Sequence, residues 1–232
     1  MRELQGINFF NQIDRQGGLV LDGISMEKCR FDNCSFSLVK SPIHRSIAKN
    51  MHIRDCKVVN SDIGPAIIDE VLVENLSIND MLICWGSLFR HVKLTGKFGS
   101  VKMNVMAHHD ITREKQAFFD AERVTFYQDV DWALDISAAT FTELDVRGIP
   151  AKLIRRDPSR QFVLTRCKAL KAKPLCSLSK AAEHWMFTVE LFLRDGDEDR
   201  VLTVPNSGTR KRQTEMLQGL VELQRMGFIE SD

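Results

Sequence analysis

The sequence predicts a mainly β fold: a coil of short strands, interrupted by a helical insertion and followed by a mixed α/β cap at its C-terminal end. Three observations carry this. Apolar residues recur every five positions over much of the first 149 residues, small polar residues suited to tight corners fall between them, and both patterns stop near Pro150. A helix of 3.6 residues per turn would smear a five-residue repeat around its surface, and a long strand of period two would put successive repeats on opposite faces. A chain that turns a corner after each short strand keeps every fifth residue pointing inward.

Taken in order, Met1–Gly18 reads as an entry segment whose Phe9, Phe10 and Ile13 would cover the open end of the coil, since an uncapped end exposes core and sheet edges. The repeat then begins with Leu21, Met26, Phe31 and Phe36, and a second series of small or apolar residues lies two places earlier at Leu19, Ile24, Cys29 and Cys34. Ser41-Pro42 marks a turn, and Leu38–Asn50 is expected to bulge out as a loop. The period resumes over Ile53, Val58, Ile63, Ile68, Val73, Ile78 and Ile83, with Met51, Cys56, Ser61, Ala66, Val71, Leu76 and Met81 two places before each. Corner residues intervene at Asp55, Asn60-Ser61-Asp62, Gly64-Pro65, Asn75 and Asn79-Asp80. Phe89 and Leu94 keep one register, Phe98 and Met103 another, and Gly86, Gly96 and Gly99 read as bulged corners. A short helix over about residues 110–122, capped by Asp110 or Thr112, is an excursion from the coil. Strands return at Val124–Phe126 and at Leu134–Val146, and Gly148-Ile149-Pro150 ends the repeat.

Beyond it, residues 150–232 form an α+β appendage, and residues 1–149 are the coil domain. Gln161–Arg166 and Val201–Val204 read as strands, while Ser179–Arg194 and Arg210–Met226 read as helices with apolar stripes. Gly227 before Phe228-Ile229 has the form of a glycine stop with a hydrophobic contact behind it.

The runs Cys29-Arg30-Phe31-Asp32-Asn33, Cys34-Ser35-Phe36-Ser37-Leu38, Cys56-Lys57-Val58-Val59-Asn60 and Ser61-Asp62-Ile63-Gly64-Pro65 resemble the pentapeptide-repeat family. The resemblance covers roughly Leu19–Met103 and again Val124–Val146. It implies a right-handed quadrilateral β-helix. Ile and Val stand at many centres, and Met51 and Leu76 occupy positions where the family has small residues. Some members of that family mimic DNA through an acidic coil; here Lys28, Arg30, Lys40, Arg45, Lys49, Arg54 and Lys57 lie within the coil, so that role does not carry over.

Composition bounds the function. No apolar run reaches the roughly 18 residues of a membrane span. The N-terminus lacks a basic stretch followed by an apolar one, so export is not expected, and six cysteines then read as reduced thiols in a cytosol. No nucleophile elbow, Walker loop, dinucleotide fingerprint or zinc-protease motif is present, so no enzymatic activity and no cofactor are predicted. Asp129, Asp131 and Asp135 could serve a carbohydrate-active β-helix enzyme, but their alternation with Val130 and Trp132 reads better as an outward polar face. His108-His109-Asp110 could ligate a metal, yet adjacent side chains are expected to diverge, and no metal is predicted there.

Charge is uneven. Asp120–Val146 is acidic, and Arg147–Lys173 is basic, with nine cations against Asp157. A nucleic-acid-associated regulatory role would use this basic stretch with Arg210-Lys211-Arg212, but Glu215, Glu222, Glu230 and Asp232 cancel the charge that phosphate contacts need. The reading that remains is a non-enzymatic scaffold in a bacterial-type cytosol that binds another protein, in its concrete form an inhibitor or immunity-type protein. Arg155, Arg156 and Arg160, just beyond the charge reversal, are the expected partner contacts. The competing expectation is that they pair internally with Asp129, Asp131 and Asp135.

Overall fold

The computed structural model describes residues 2–172 and 178–230; Lys173 of the basic stretch and Asp232 of the C-terminal acids lie outside them. The chain is mainly β. Its first part supplies β1 (Arg2–Gln5), β2 (Asn8–Phe10), β3 (Val20–Asp22), β4 (Ile24–Glu27), β5 (Arg30–Asp32), β6 (Ser35–Phe36), β7 (Ile47–Val59), β8 (Asp62–Ile63), β9 (Ile67–Trp85), β10 (Leu88–Arg90) and β11 (Val92–Asn104). After helix α1 (Arg113–Gln128) come β12 (Leu134–Val146) and β13 (Ile154–Arg155). These strands form one large parallel sheet, with the path β1-β4-β7-β9-β11-β12-β13 and the short strands paired alongside it.

The five-residue spacing has a backbone cause. β7 and β9 are not straight: left-handed residues interrupt them at Asn50 and Asp55, and at Glu70, Asn75 and Asp80, with φ between 52° and 67°. Asn and Asp enter this region at less cost than other residues with a Cβ, because their short polar side chains bond locally. Here those side chains also join neighbouring strands, Asn75 Nδ2 donating to Asp55 Oδ1 at 3.0 Å and Asn50 Nδ2 to Asp22 Oδ1 at 2.8 Å. Of the three expected glycine corners, Gly86 and Gly96 have positive φ. Gly99 serves close approach instead, since a Cβ there would lie 2.7 Å from the Ile78 Cβ.

Ile53, Val58, Ile63, Ile68, Val73 and Ile78 all pack in one core, Val58, Ile68 and Val73 buried and the other three half-buried. The spacing then slips. Met81 is exposed and Ile83 half-buried, while Leu82 and Cys84 are buried, because the corner at Asn79-Asp80 holds an extra residue and the register against β11 shifts there.

Four expectations are corrected. Met1–Gly18 is no lid: Leu4 and Phe9 keep the five-residue spacing, β1 and β2 pair in register with β4 and β5, and Phe9 stacks on Phe31 at 5.1 Å. The interruption after Leu38 is shorter, since β7 starts at Ile47. Val124–Phe126 is helical, because α1 runs to Gln128 with Phe119 and Tyr127 as its buried residues. On the opposite face of α1 Phe118 points to solvent and is 66% exposed. Finally, the parallel sheet does not end at Ile149, since β13 adds to β12 beyond Pro150.

The C-terminal part holds β14 (Gln161–Thr165), α2 (Arg166–Lys171), α3 (Lys180–Asp195), β15 (Asp199–Thr203), α4 (Arg210–Arg225) and β16 (Ile229–Glu230). The strands form an antiparallel sheet in the order β15-β14-β16. Ala182, Trp185, Val189 and Phe192 of α3 meet Met216, Leu220 and Leu223 of α4 in a second core. Gly219 lets the helices approach, a Cβ there lying 2.8 Å from Ala181 backbone. Gly227 closes α4 at φ 83°, and the Phe228 amide returns to the Leu223 carbonyl at 3.1 Å. Val163 and Val201 belong to the first core, and buried Gln161 donates to the Ile136 carbonyl at 3.0 Å, so this part is packed onto β12. No helix among the described residues is long and apolar enough to cross a membrane.

Candidate protein-binding surface

Arg155 is exposed on β13, which pairs with β12 at Asp135. Its guanidinium lies 4.2 Å from the centre of the Trp132 ring, a distance at which ring quadrupole and cation attract. Trp132 in turn packs against His91, with ring centroids 4.8 Å apart. Three side chains far apart in sequence thus stack in a row.

His91 occupies a corner between β10 and β11 at φ 52°, in register with the corner at Glu70. Its ring is held at both nitrogens: Nδ1 is 2.6 Å from Glu70 Oε1 and Nε2 is 2.6 Å from Asp131 Oδ1. The hydrogen bond to Asp131, then that to Glu70, raises the His91 pKa against a partial desolvation that lowers it. The same contact holds Asp131 below the usual carboxylate range. Next to this row Arg90 forks onto both oxygens of Asp69, Nε to Oδ1 at 2.8 Å. The surface therefore presents cation, indole, imidazole and carboxylate in fixed order on a hydrogen-bonded sheet.

The other two arginines go elsewhere. Arg156 is half-buried and donates from Nη1 to the Gln161 carbonyl at 3.4 Å. Arg160 borders a different cleft of about 200 Å³, with Asp157, Gln161 and Thr203 among its walls. Asp131 pairs with His91, and Asp135 is buried, accepting from the Ser137 amide and hydroxyl at 3.0 and 2.6 Å. That burial corrects the expectation of an outward polar face at Asp135. Part of the charge reversal is neutralised within the chain, Arg147 lying 2.9 Å from both Asp145 and Asp195. In the basic C-terminal region Lys168 pairs with Glu230 at 2.5 Å and Arg166 donates to the Leu193 carbonyl at 3.1 Å.

A larger, open cleft of about 460 Å³ lies between α1 and residues 148–153, bordered by Arg123, Tyr127, Val130, Pro150, Lys152 and Leu153. His108 and His109 depart from expectation: they do not diverge, and their rings lie side by side with centroids 4.2 Å apart. His91, Trp132 and Glu70 were not singled out as contacts from sequence. A histidine at a left-handed corner, 21 residues after the corner carboxylate Glu70, is the signal that could have found the row.

Compared with known proteins, the chain matches no family model, no curated protein and no solved structure.

Proposed function

We propose that this chain is a non-enzymatic protein-binding scaffold, and that the row Arg155–Trp132–His91 with its flanking carboxylates is the partner-facing surface. The scaffold part rests on reading the parallel sheet as a β-helix of the pentapeptide-repeat kind, wound right-handed as that resemblance implies. Register supports the winding: Leu4 pairs with Met26, Met26 with Ile53, Ile53 with Val73 and Val73 with Leu94, at separations of 22, 27, 20 and 21 residues. The single long step contains the loop at Pro42–His44. On this reading each neighbour is one further circuit of the chain, and the left-handed corner residues stack as its edges.

The observation that carries the functional reading is the cation–indole–imidazole stack, with Arg155 exposed and Trp132 and His91 half-buried beneath it. Arg and Trp are enriched at interface hot spots because both bury large planar surfaces while keeping directed hydrogen bonds. Their backbones belong to or adjoin β12 and β13, so little ordering entropy is left to lose on binding. An inhibitor or immunity-type protein acting on a cytosolic partner is the concrete form of this proposal.

The test compares affinity capture by the full chain and by Arg155→Glu and Trp132→Ala variants, with quantitative mass spectrometry of the eluates and thermal unfolding of each protein. The reading requires that a specific partner be lost by both variants while the melting temperature moves by no more than a few degrees. Capture that survives both changes, or a collapse of the melting temperature on Arg155→Glu, would place recognition elsewhere. Arg156 is left intact because its bond to the Gln161 carbonyl would confound the comparison.

A further inference from the structure

We propose that His108, His109 and Asp110 bind a late divalent transition-metal ion of the zinc(II), nickel(II) and copper(II) class. Each of the three offers one ligand atom, and these atoms all lie within 4.8 Å of one another. Ligands on one tetrahedral ion at bond lengths of about 2.0–2.2 Å stand about 3.3–3.6 Å apart, so small side-chain rotations close the set. Two imidazoles and one carboxylate suit these ions, whereas magnesium and calcium prefer oxygen alone.

The loop that carries them is held from two sides. Ala107 is fully buried against Gly86, where a Cβ would come within 2.8 Å of the Ala107 Cα. The Ala107 amide donates to Gln116 Oε1 at 3.0 Å, and Gln116 Nε2 donates to the Val105 carbonyl at 3.0 Å and to Asp120 Oδ1 at 2.9 Å. His108 Nδ1 already faces Asp110 Oδ1. An ion between them takes the place of that contact, and a proton carried by the Nδ1 leaves to solvent. The exposed Lys40 ammonium stands 3.6 Å from Asp110 Oδ2 and occupies the place of a cation without adding a ligand. Asp69, Glu70 and His91 also converge, but Arg90 holds both Asp69 oxygens and Asp131 holds the second His91 nitrogen, so charge compensation there is already made.

Trp85 supplies the readout, its ring lying 6.4 Å from that of His109. The experiment uses the full, tag-free chain with Cys167→Ser and Cys176→Ser to remove competing thiols, titrated with zinc(II), nickel(II) and copper(II) by calorimetry and tryptophan fluorescence. One equivalent is expected to bind, tightest for copper(II). Copper(II) and nickel(II) should quench the emission and zinc(II) should not. Loss of a mere supporting partner weakens metal sites about 10–100-fold, so His108→Ala and His109→Ala should each cost at least that much. Lys40→Ala should tighten binding. His109 is exposed, so its variant keeps the fold, as circular dichroism would verify. No binding in the micromolar range, or stoichiometric binding that survives both histidine changes, overturns the site.

Discussion

His91 is the residue on which the candidate surface turns, because its ring bridges Glu70 and Asp131 and supports the indole that carries Arg155. Its pKa is raised by those two carboxylates. A raised pKa means that the folded chain holds the proton more tightly than the unfolded one. The contribution is therefore complete below the unfolded value of about 6.5 and fades as pH rises through the higher folded value. We expect ring-proton titration by NMR to place His91 above an ordinary histidine, and the urea midpoint to fall slightly between pH 6 and pH 8. The fall should be smaller in His91→Gln. A His91 value at or below 6.5 would show that the clasp is not formed. The cysteines belong to this scale too. Cys29, Cys34, Cys56 and Cys84 are buried, and burial pushes the Cys56 thiol up to about 11 and the Cys84 thiol up to about 12. That inward placement was legible in the five-residue spacing for Cys29, Cys34 and Cys56, whereas Cys84 is buried through the slip after Asn79-Asp80. The partners of His91 were not, since they lie 21 and 40 residues away along the chain.

At the scale of elements, α1 is the part that the sequence described least well. Its N-cap was readable, and Thr112 Oγ1 accepts from the Lys115 amide. Its length and its buried face were not, because a helix laid against a sheet is fixed by contacts rather than by its own pattern. The fixing contact is Arg45, whose side chain is only 3% exposed. Its Nε lies 2.6 Å from Glu122 Oε2, its Nη1 donates to the Gly86 carbonyl at 2.7 Å, and the group sits 4.9 Å over the Phe119 ring. Removing the carboxylate leaves a buried cation without its counter-ion. Breaking a fully buried pair costs about 3–5 kcal/mol, and since Glu122 is about one-third exposed we expect about 2 kcal/mol for Glu122→Ala by urea unfolding. Phe118→Ser, on the exposed face of the same helix, should change stability by less than about 0.5 kcal/mol. Equal effects from the two substitutions would remove Arg45 as the fastening point.

For the whole molecule, the question is where the sheet-bearing part ends. The repeat stops at Ile149, yet Leu153, Ile154, Val163 and Val201 complete the same core, and the Ala133 amide donates to the Leu153 carbonyl at 2.8 Å. A fragment of residues 1–149 is therefore expected to expose the edge of β12 and to aggregate, whereas the full chain unfolds cooperatively. Light scattering and the unfolding transition of the fragment would check this. A monomeric fragment as stable as the full chain would mean that the C-terminal part is dispensable. The sequence by itself determined the strand-rich class, the inward series through Val58, Ile68 and Val73, the asparagine and aspartate corners, and the helices of the C-terminal part. Each of these is set within a few residues, by side-chain size, by tolerance of left-handed backbone or by helical periodicity. Tertiary structure alone decided the register slip at Leu82, the extent of α1, the burial of Asp135 and the meeting of Arg155 with Trp132 and His91. These depend on which strand lies beside which, and neighbours in a parallel sheet are some twenty residues or more apart in the chain.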